Sequence, residues 1–218
     1  VVVKPAGVMA FFVNPVNLWW PTVRQRKVQS PGGSLYFGQV TPAILAYYGA
    51  AALLLLALLP QVAHLYAPAY GLTSRAVLAL LLFAWTLTGM ASIVNVGALV
   101  PGNTRWLLLS ACLSASVGIG GSYLLTPRLG MVGAAGATAL AQACFFGSAL
   151  YLSLRIYRIP YPWVGLAVIT CAVAIAGLSL CATSSLLTSA MTLFGYAVVM
   201  ALLLLKPFSR QDAKGAAT

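Results

Sequence analysis

The chain has 218 residues, 61% of them hydrophobic and 6% charged, with a mean hydropathy of +0.97. A soluble domain carries about 25% charged residues, so a single water-soluble core is excluded. Apolar runs longer than the about 18 residues of a spanning helix predict an all-α polytopic membrane protein instead. Twelve Lys and Arg against one acid give a net charge of +11. The cations flank apolar runs in ones and twos, as topology determinants do, and not as the continuous basic face of a nucleic-acid binder.

In chain order, the start VVVKPAG has no Met and no signal-peptide pattern, and is read as a fragment lacking its N-terminal part. A first helix is expected from about Ala6 to Trp20, with Asn14 and Asn17 around Pro15 and with Trp19 and Trp20 as an interfacial belt. Pro21 and the cations Arg24, Arg26 and Lys27 then lead into a loop at Ser30–Gly33. A second helix covers about Tyr36 to Leu59 and is expected to stop at Pro60. The loop from Gln61 to Thr73 holds the only histidine, His64, with Tyr66 and Tyr70.

A third helix, Arg75 to Val100, is interrupted by Thr86, Thr88, Gly89, Ser92 and Asn95, and a tight connector follows at Pro101–Arg105. A fourth runs from Trp106 to Leu125 and a fifth from Met131 to about Tyr157. After Pro160 and Pro162 come a sixth helix, Trp163 to Cys181, a short polar turn, and a seventh, Leu186 to Leu205. The tail 206–218 is polar, with the composition of a disordered segment. About seven spans are therefore expected over residues 1–205, and no soluble domain.

Seven spans put the two ends on opposite sides. Nine cations then share the side of the tail (Arg24, Arg26, Lys27, Arg105, Arg155, Arg158, Lys206, Arg210 and Lys214), and three, Lys4, Arg75 and Arg128, lie on the other. By the positive-inside rule the C-terminus is cytoplasmic and Val1 outside.

One stretch organises the chain: Ser122 to Gln142, SYLLTPRLGMVGAAGATALAQ. A tight turn is expected from Thr126 to Gly130, because Pro127 cannot continue a helix interior and Gly130 tolerates backbone angles other residues resist. Gly133, Ala137 and Ala141 recur every four positions and so share one helix face. Gly130, Ala134 and Thr138 repeat the spacing on a neighbouring face. Small-xxx-small spacing lets two membrane helices approach backbone to backbone, and a packing seam is the plain reading of it.

Catalysis is hard to build from this composition. The only carboxylate is Asp212, in the tail, and no Ser or Thr has a His/Asp partner to activate it. An enzyme is not expected. Cys112, Cys144, Cys171 and Cys181 lie inside apolar runs without metal-ligand spacing, so neither a metal nor another cofactor is expected, and they read as small apolar packing residues.

The remaining polar candidates each have a functional and a structural reading. Asn14, Asn17 and Asn95, the last with Ser92, could line a polar substrate pathway or simply hydrogen-bond between helices. Arg24, Arg26 and Lys27 could meet a pyrophosphate headgroup or anionic lipid, or serve as a topology signal. Arg128 reads as a snorkelling anchor. No acidic cation site exists within the apolar runs, so a coupling carboxylate would have to lie in the missing part.

Four words carry a family likeness. LWWPTVRQ (18–25) is an apolar–Pro stop before a basic loop, and Leu65–Tyr70 is a short outer loop. Val94–Gly97 followed by Pro101–Arg105 forms a helix end and Gly-x-Thr-basic connector, and LLTPRLGMVGAAGAT (124–138) is the strongest word. In this order, over about Pro15 to Pro160, they resemble the C-terminal half of polysaccharide-biosynthesis flippases of the multidrug/oligosaccharidyl-lipid/polysaccharide exporter superfamily. The family often has an Asn near the place of Gly118, which leaves the fourth helix here without an expected polar role.

The resemblance implies a two-lobe transporter with a parallel repeat, in which the seven helices are the eighth to fourteenth of the whole. It implies a bacterial inner-membrane protein that moves undecaprenyl-type lipid-linked saccharides by alternating access, paired with its own N-terminal lobe. The last two helices would help form the groove for the lipid tail. A drug/cation antiporter of the same superfamily is the first alternative, and a non-transporting membrane scaffold or assembly subunit the second. A membrane glycosyltransferase or acyltransferase ranks behind both for want of carboxylates and histidines. Half of a two-lobe transporter is not expected to be active alone.

Overall fold

The computed structural model describes residues 7–28, 30, 32–66, 72–96, 105–156, 159–182 and 189–201, with main chain only at 59–66 and 72–74. Among these residues there are six helices and no strand: α1 (Met9–Val28), α2 (Gly33–Tyr66), α3 (Leu72–Val94), α4 (Arg105–Ile156), α5 (Trp163–Ala182) and α6 (Ser189–Ala201). Four segments are long and apolar enough to cross a membrane: Gly33–Leu58, Arg75–Val94, Arg105–Ile156 and Trp163–Ala182. The all-helical architecture stands, with several long apolar helices compatible with a membrane protein, but a count of seven spans is not supported. α1 carries two asparagines and three cations, and of α6 only residues 189–201 are described, fewer than the about 20 a bilayer core requires.

Two proline-based boundaries are corrected. α1 continues through Pro15 and Pro21 to Val28, so the cations at 24, 26 and 27 lie on a helix and not in a loop. α2 likewise runs on past Pro60 to Tyr66. Of the expected loops, residues 67–71, 97–104 and 183–188 lie outside the described residues, as does the tail 206–218.

α4 is 52 residues long, about 78 Å if it were straight, more than twice a bilayer core. It is not straight. Gly130 takes φ 57° and ψ −132°, a conformation open to glycine and strained for side-chain-bearing residues, and breaks α4 into arms 105–129 and 131–156. The expected turn over Thr126–Gly130 is thus narrower than predicted. Pro127 stays within the last helical turn of the first arm, and the reversal is made at Gly130 alone.

The two arms fold back on each other along small residues. A Cβ on Gly133 would overlap the Leu125 carbonyl, Gly121 sits against Ala137, and Gly118 sits against Ala141. Farther along the seam the Ser114 hydroxyl donates to the Ala141 carbonyl across the hairpin at 2.7 Å. The predicted seam of Gly133, Ala137 and Ala141 is therefore the inner face of this hairpin. Ala135 belongs to another face of the second arm, where it packs with Val77 of α3.

α3 is central: it contacts α1, α2, α4 and α5, and is the principal partner of α4. A core of large side chains joins α1, α2, α3, α5 and α6, with Trp20, Phe37, Tyr48, Leu53, Leu82 and Ile169 fully enclosed. Trp20 is only 1% exposed and meets Phe37 edge-on at 5.6 Å. It is a core residue, contrary to the expected interfacial belt, whereas Trp19 does face outward. α2 carries glycines at its close approaches: Gly38 lies under the Pro160 carbonyl, and Gly49 under Val173 of α5 and Tyr196 of α6. The Tyr196 hydroxyl reaches past Gly49 to donate to the Ala46 carbonyl at 2.9 Å.

Candidate functional site

The polar residues singled out in the sequence fall into two places. The first is a joint between α1 and α3. The Ser92 hydroxyl lies 2.6 Å from Asn17 Oδ1 and 2.7 Å from the Gly89 carbonyl. A hydroxyl has one proton, so both contacts are satisfied when Asn17 presents its amide nitrogen to Ser92, an orientation related by a half-turn of the amide. Ser92 then gives its proton to Gly89. Just past the end of α3, Arg24 Nη1 donates to Asn95 Oδ1 at 3.4 Å, a long hydrogen bond. Burial pulls the pKa of Arg24 below its ordinary value, but a guanidinium remains charged in proteins.

This joint brings together Asn17, Ser92, Asn95 and Arg24, and the contacts are those of interhelical fastening. Asn14 is not part of it and is exposed. The basic trio is divided as well: Arg24 turns to α3, Arg26 is exposed, and Lys27 lies 5.1 Å over the ring of Tyr36 on α2. The cation–π contact links the end of α1 to α2.

The second place is a groove of about 560 Å³ between α3 and the two arms of α4. Its polar lining comes from Thr88 of α3, Ser114 and Ser122 of the first arm, and Thr138 and Gln142 of the second, with Phe145 at one end. Gly118 forms part of the wall. The first arm therefore carries polar groups, Ser114 and Ser122, toward the groove, a role that the glycine there had left in doubt. Two of the lining hydroxyls donate to their own helix, Thr88 to Ala84 at 2.9 Å and Thr138 to Ala134 at 3.0 Å. Thr86 does the same toward Leu82, so α3 carries several hydroxyls bonded back along its own turns around Gly89. Such back-bonding slightly weakens a helix and favours bending.

The groove lies midway along the two apolar arms of α4. Its lining occupies the middle of the first arm and of the second, while the Gly130 reversal and the charged ends Arg105 and Arg155 lie away from it. Sequence reasoning missed this site because its members are dispersed. Only Thr138 and Gln142, four apart on one face, gave a local signal. The four cysteines are free; Cys112 and Cys171 are exposed and Cys144 and Cys181 half-buried.

No family model, curated protein or solved structure matches the chain.

Proposed function

We propose that the chain is one lobe of an inner-membrane flippase that moves lipid-linked oligosaccharide or polysaccharide precursors by alternating access. The observation that carries the reading is the polar groove on α3 and α4. Hydroxyl and amide groups at mid-membrane depth are poorly served by lipid tails and mark a face that meets water, substrate or another protein. A lobe that pairs with a second lobe around a central pathway has such a face. The likeness of 124–138 to the exporter superfamily supports the same reading, with the second lobe supplied by an N-terminal part of the same polypeptide.

In this reading the two lobes rock against each other, the saccharide crosses between them, and the lipid tail stays in the bilayer beside α5 and α6. The cations at 24, 26 and 27 stand at the cytoplasmic end, where a diphosphate headgroup would enter, and the C-terminus is cytoplasmic.

The test is a translocation assay. Liposomes carry a fluorescent polyprenyl-diphosphate disaccharide, and the fraction shielded from an external quencher is followed in time. The chain joined in frame to its upstream coding sequence is expected to reduce the shielded fraction, and the chain alone is not. No transfer by the joined protein, or an upstream frame without further apolar spans, overturns the two-lobe reading in favour of a scaffold subunit.

A further inference from the structure

We propose that the α3–α4 groove is a binding site for the uncharged, hydroxyl-rich part of a ligand, a saccharide, and that Gln142 is its principal hydrogen-bonding group. The inference rests on the flippase reading and deepens it. The asparagines favoured by the sequence are engaged or stand elsewhere: Asn17 and Asn95 are tied into the α1–α3 joint, and Asn14 is outside the groove.

The chemistry follows from where the protons are. The hydroxyl protons of Thr88, Thr138 and Ser114 are given to the carbonyls of Ala84, Ala134 and Ala141. What these residues offer the groove is their oxygen lone pairs, which are acceptors. A phosphate or carboxylate, which only accepts, finds little there. Among the described residues nothing hydrogen-bonds the Ser122 hydroxyl or the Gln142 amide, so each can both donate and accept.

A ligand with many O–H groups and some acceptor oxygens matches this set. A cation would also be a donor, but it would sit without a counter-charge: no acid lines the groove, and the chain's only one is Asp212. No Lys or Arg lines it either. The site is therefore selective for neutral donors. Phe145 at the groove's end gives an apolar face, and the mostly apolar wall with few convergent polar groups is the usual make-up of a small-ligand site. The volume of about 560 Å³ lies within the range of about 300–1,000 Å³ for such sites.

The experiment uses thiol labelling of the chain joined to its upstream coding sequence, in nanodiscs, with the four native cysteines replaced by alanine. Ser122→Cys places a thiol in the groove, and Leu124→Cys places one on the outward face of the same arm, where Leu124 is 63% exposed. Only the thiolate reacts with a membrane-impermeant methanethiosulfonate, and thiolates need water. Ser122→Cys is expected to react on the order of tenfold faster than Leu124→Cys.

Chitobiose is the saccharide probe. It is expected to slow labelling about threefold at about twice its Kd, by simple occupancy. Inorganic pyrophosphate and tetraphenylphosphonium are expected to have no effect. Adding Gln142→Leu is expected to remove the protection while leaving labelling fast, and Gln142→Asn to restore part of it.

Labelling at Ser122→Cys no faster than at Leu124→Cys means a dry groove and overturns the proposal; if that protein still translocates lipid-linked saccharide, the flippase reading survives without it. Protection by tetraphenylphosphonium and not by chitobiose overturns the proposal and replaces the flippase with a cation exporter. Protection by chitobiose that persists in Gln142→Leu overturns the role given to Gln142.

Discussion

The body of α1, α2, α3, α5 and α6 and the α4 hairpin are held by opposite means. In the body, large side chains interlock: Trp20 against Phe37, Tyr48 against Gly89, Tyr196 across Gly49. In the hairpin there is almost nothing between the arms. Glycines and alanines bring the backbones together, and one serine hydrogen-bonds across. Lipid tails are as apolar as leucine, so burying more leucine between membrane helices gains little. Close approach and polar contacts decide association there. The hairpin's large residues accordingly point away from the seam; Leu108, Leu113, Ile119, Tyr123 and Leu124 are more than half exposed to the surroundings. The seam is thus specified by what its residues lack, and the body by what its residues contain.

The contrast is broken most directly at Gly133. Gly133→Leu puts a branched side chain where even a Cβ would overlap the Leu125 carbonyl. Backbone cannot give way as a flexible side chain can, so the arms must separate. A loss of about 3 kcal/mol or more is expected, read as a shift in an SDS-unfolding titration in mixed micelles. The control is Leu124→Ala on the outward face, expected to shift it little. Equal shifts from the two variants would mean that the seam does not hold the hairpin.

Gly89→Ala makes the same intrusion in the body. The new methyl would lie 2.6 Å from the Tyr48 ring. The obstacle is now a side chain, but one fully enclosed and unable to swing away. The expected cost is about 2 kcal/mol. The double variant with Tyr48→Leu recovers most of it if ring contact is the cause, so a double-mutant cycle separates that contact from any change in α3 itself. A cycle that shows no coupling removes ring contact as the explanation.

The seam was legible because it is local. Spacing of four fixes which residues share a helix face, and it placed Gly133, Ala137 and Ala141 together; Gly130 was legible because few residues can adopt a positive φ. The proline signals misled for the complementary reason. Pro21 argues for a boundary from local geometry, but the helix beyond it is fastened by Arg24 to Asn95 and by Lys27 over Tyr36, partners distant in sequence. Trp20 was misplaced in the same way, since an interfacial Trp and a core Trp read alike until Phe37 is brought beside it. The groove was least legible. Thr88, Ser114 and Thr138 come from three helical segments, and nothing in the spacing of one predicts the others.

Polar contacts sharpen the comparison at a smaller scale. Tyr196→Phe removes the hydrogen bond to the Ala46 carbonyl that ties α6 to α2. A loss of about 1 kcal/mol is expected. Ser114→Ala removes the hydrogen bond across the hairpin, and here about 0.6 kcal/mol is expected, the average for interhelical hydrogen bonds in a membrane. Both are read in the same titration. Ser114→Ala costing as much as Gly133→Leu would make the seam a polar contact, and the account of backbone approach would be wrong.

At Tyr48 no loss is expected, and the sign of the effect is informative. Its ring is fully enclosed, yet its hydroxyl has no hydrogen-bond partner among the described residues, in contrast to Tyr196. An enclosed hydroxyl without a partner has lost its water and gained nothing in return. Tyr48→Phe keeps the ring against Gly89 and deletes only that oxygen. Stability is therefore expected to stay level or rise by up to about 1 kcal/mol, in the direction opposite to Tyr196→Phe. A loss of stability comparable to that in Tyr196→Phe would mean that the Tyr48 hydroxyl has a partner in the membrane-embedded protein, such as an ordered water between α2 and α3. In that case the large-residue body, and not only the small-residue hairpin, would depend on buried polar contacts.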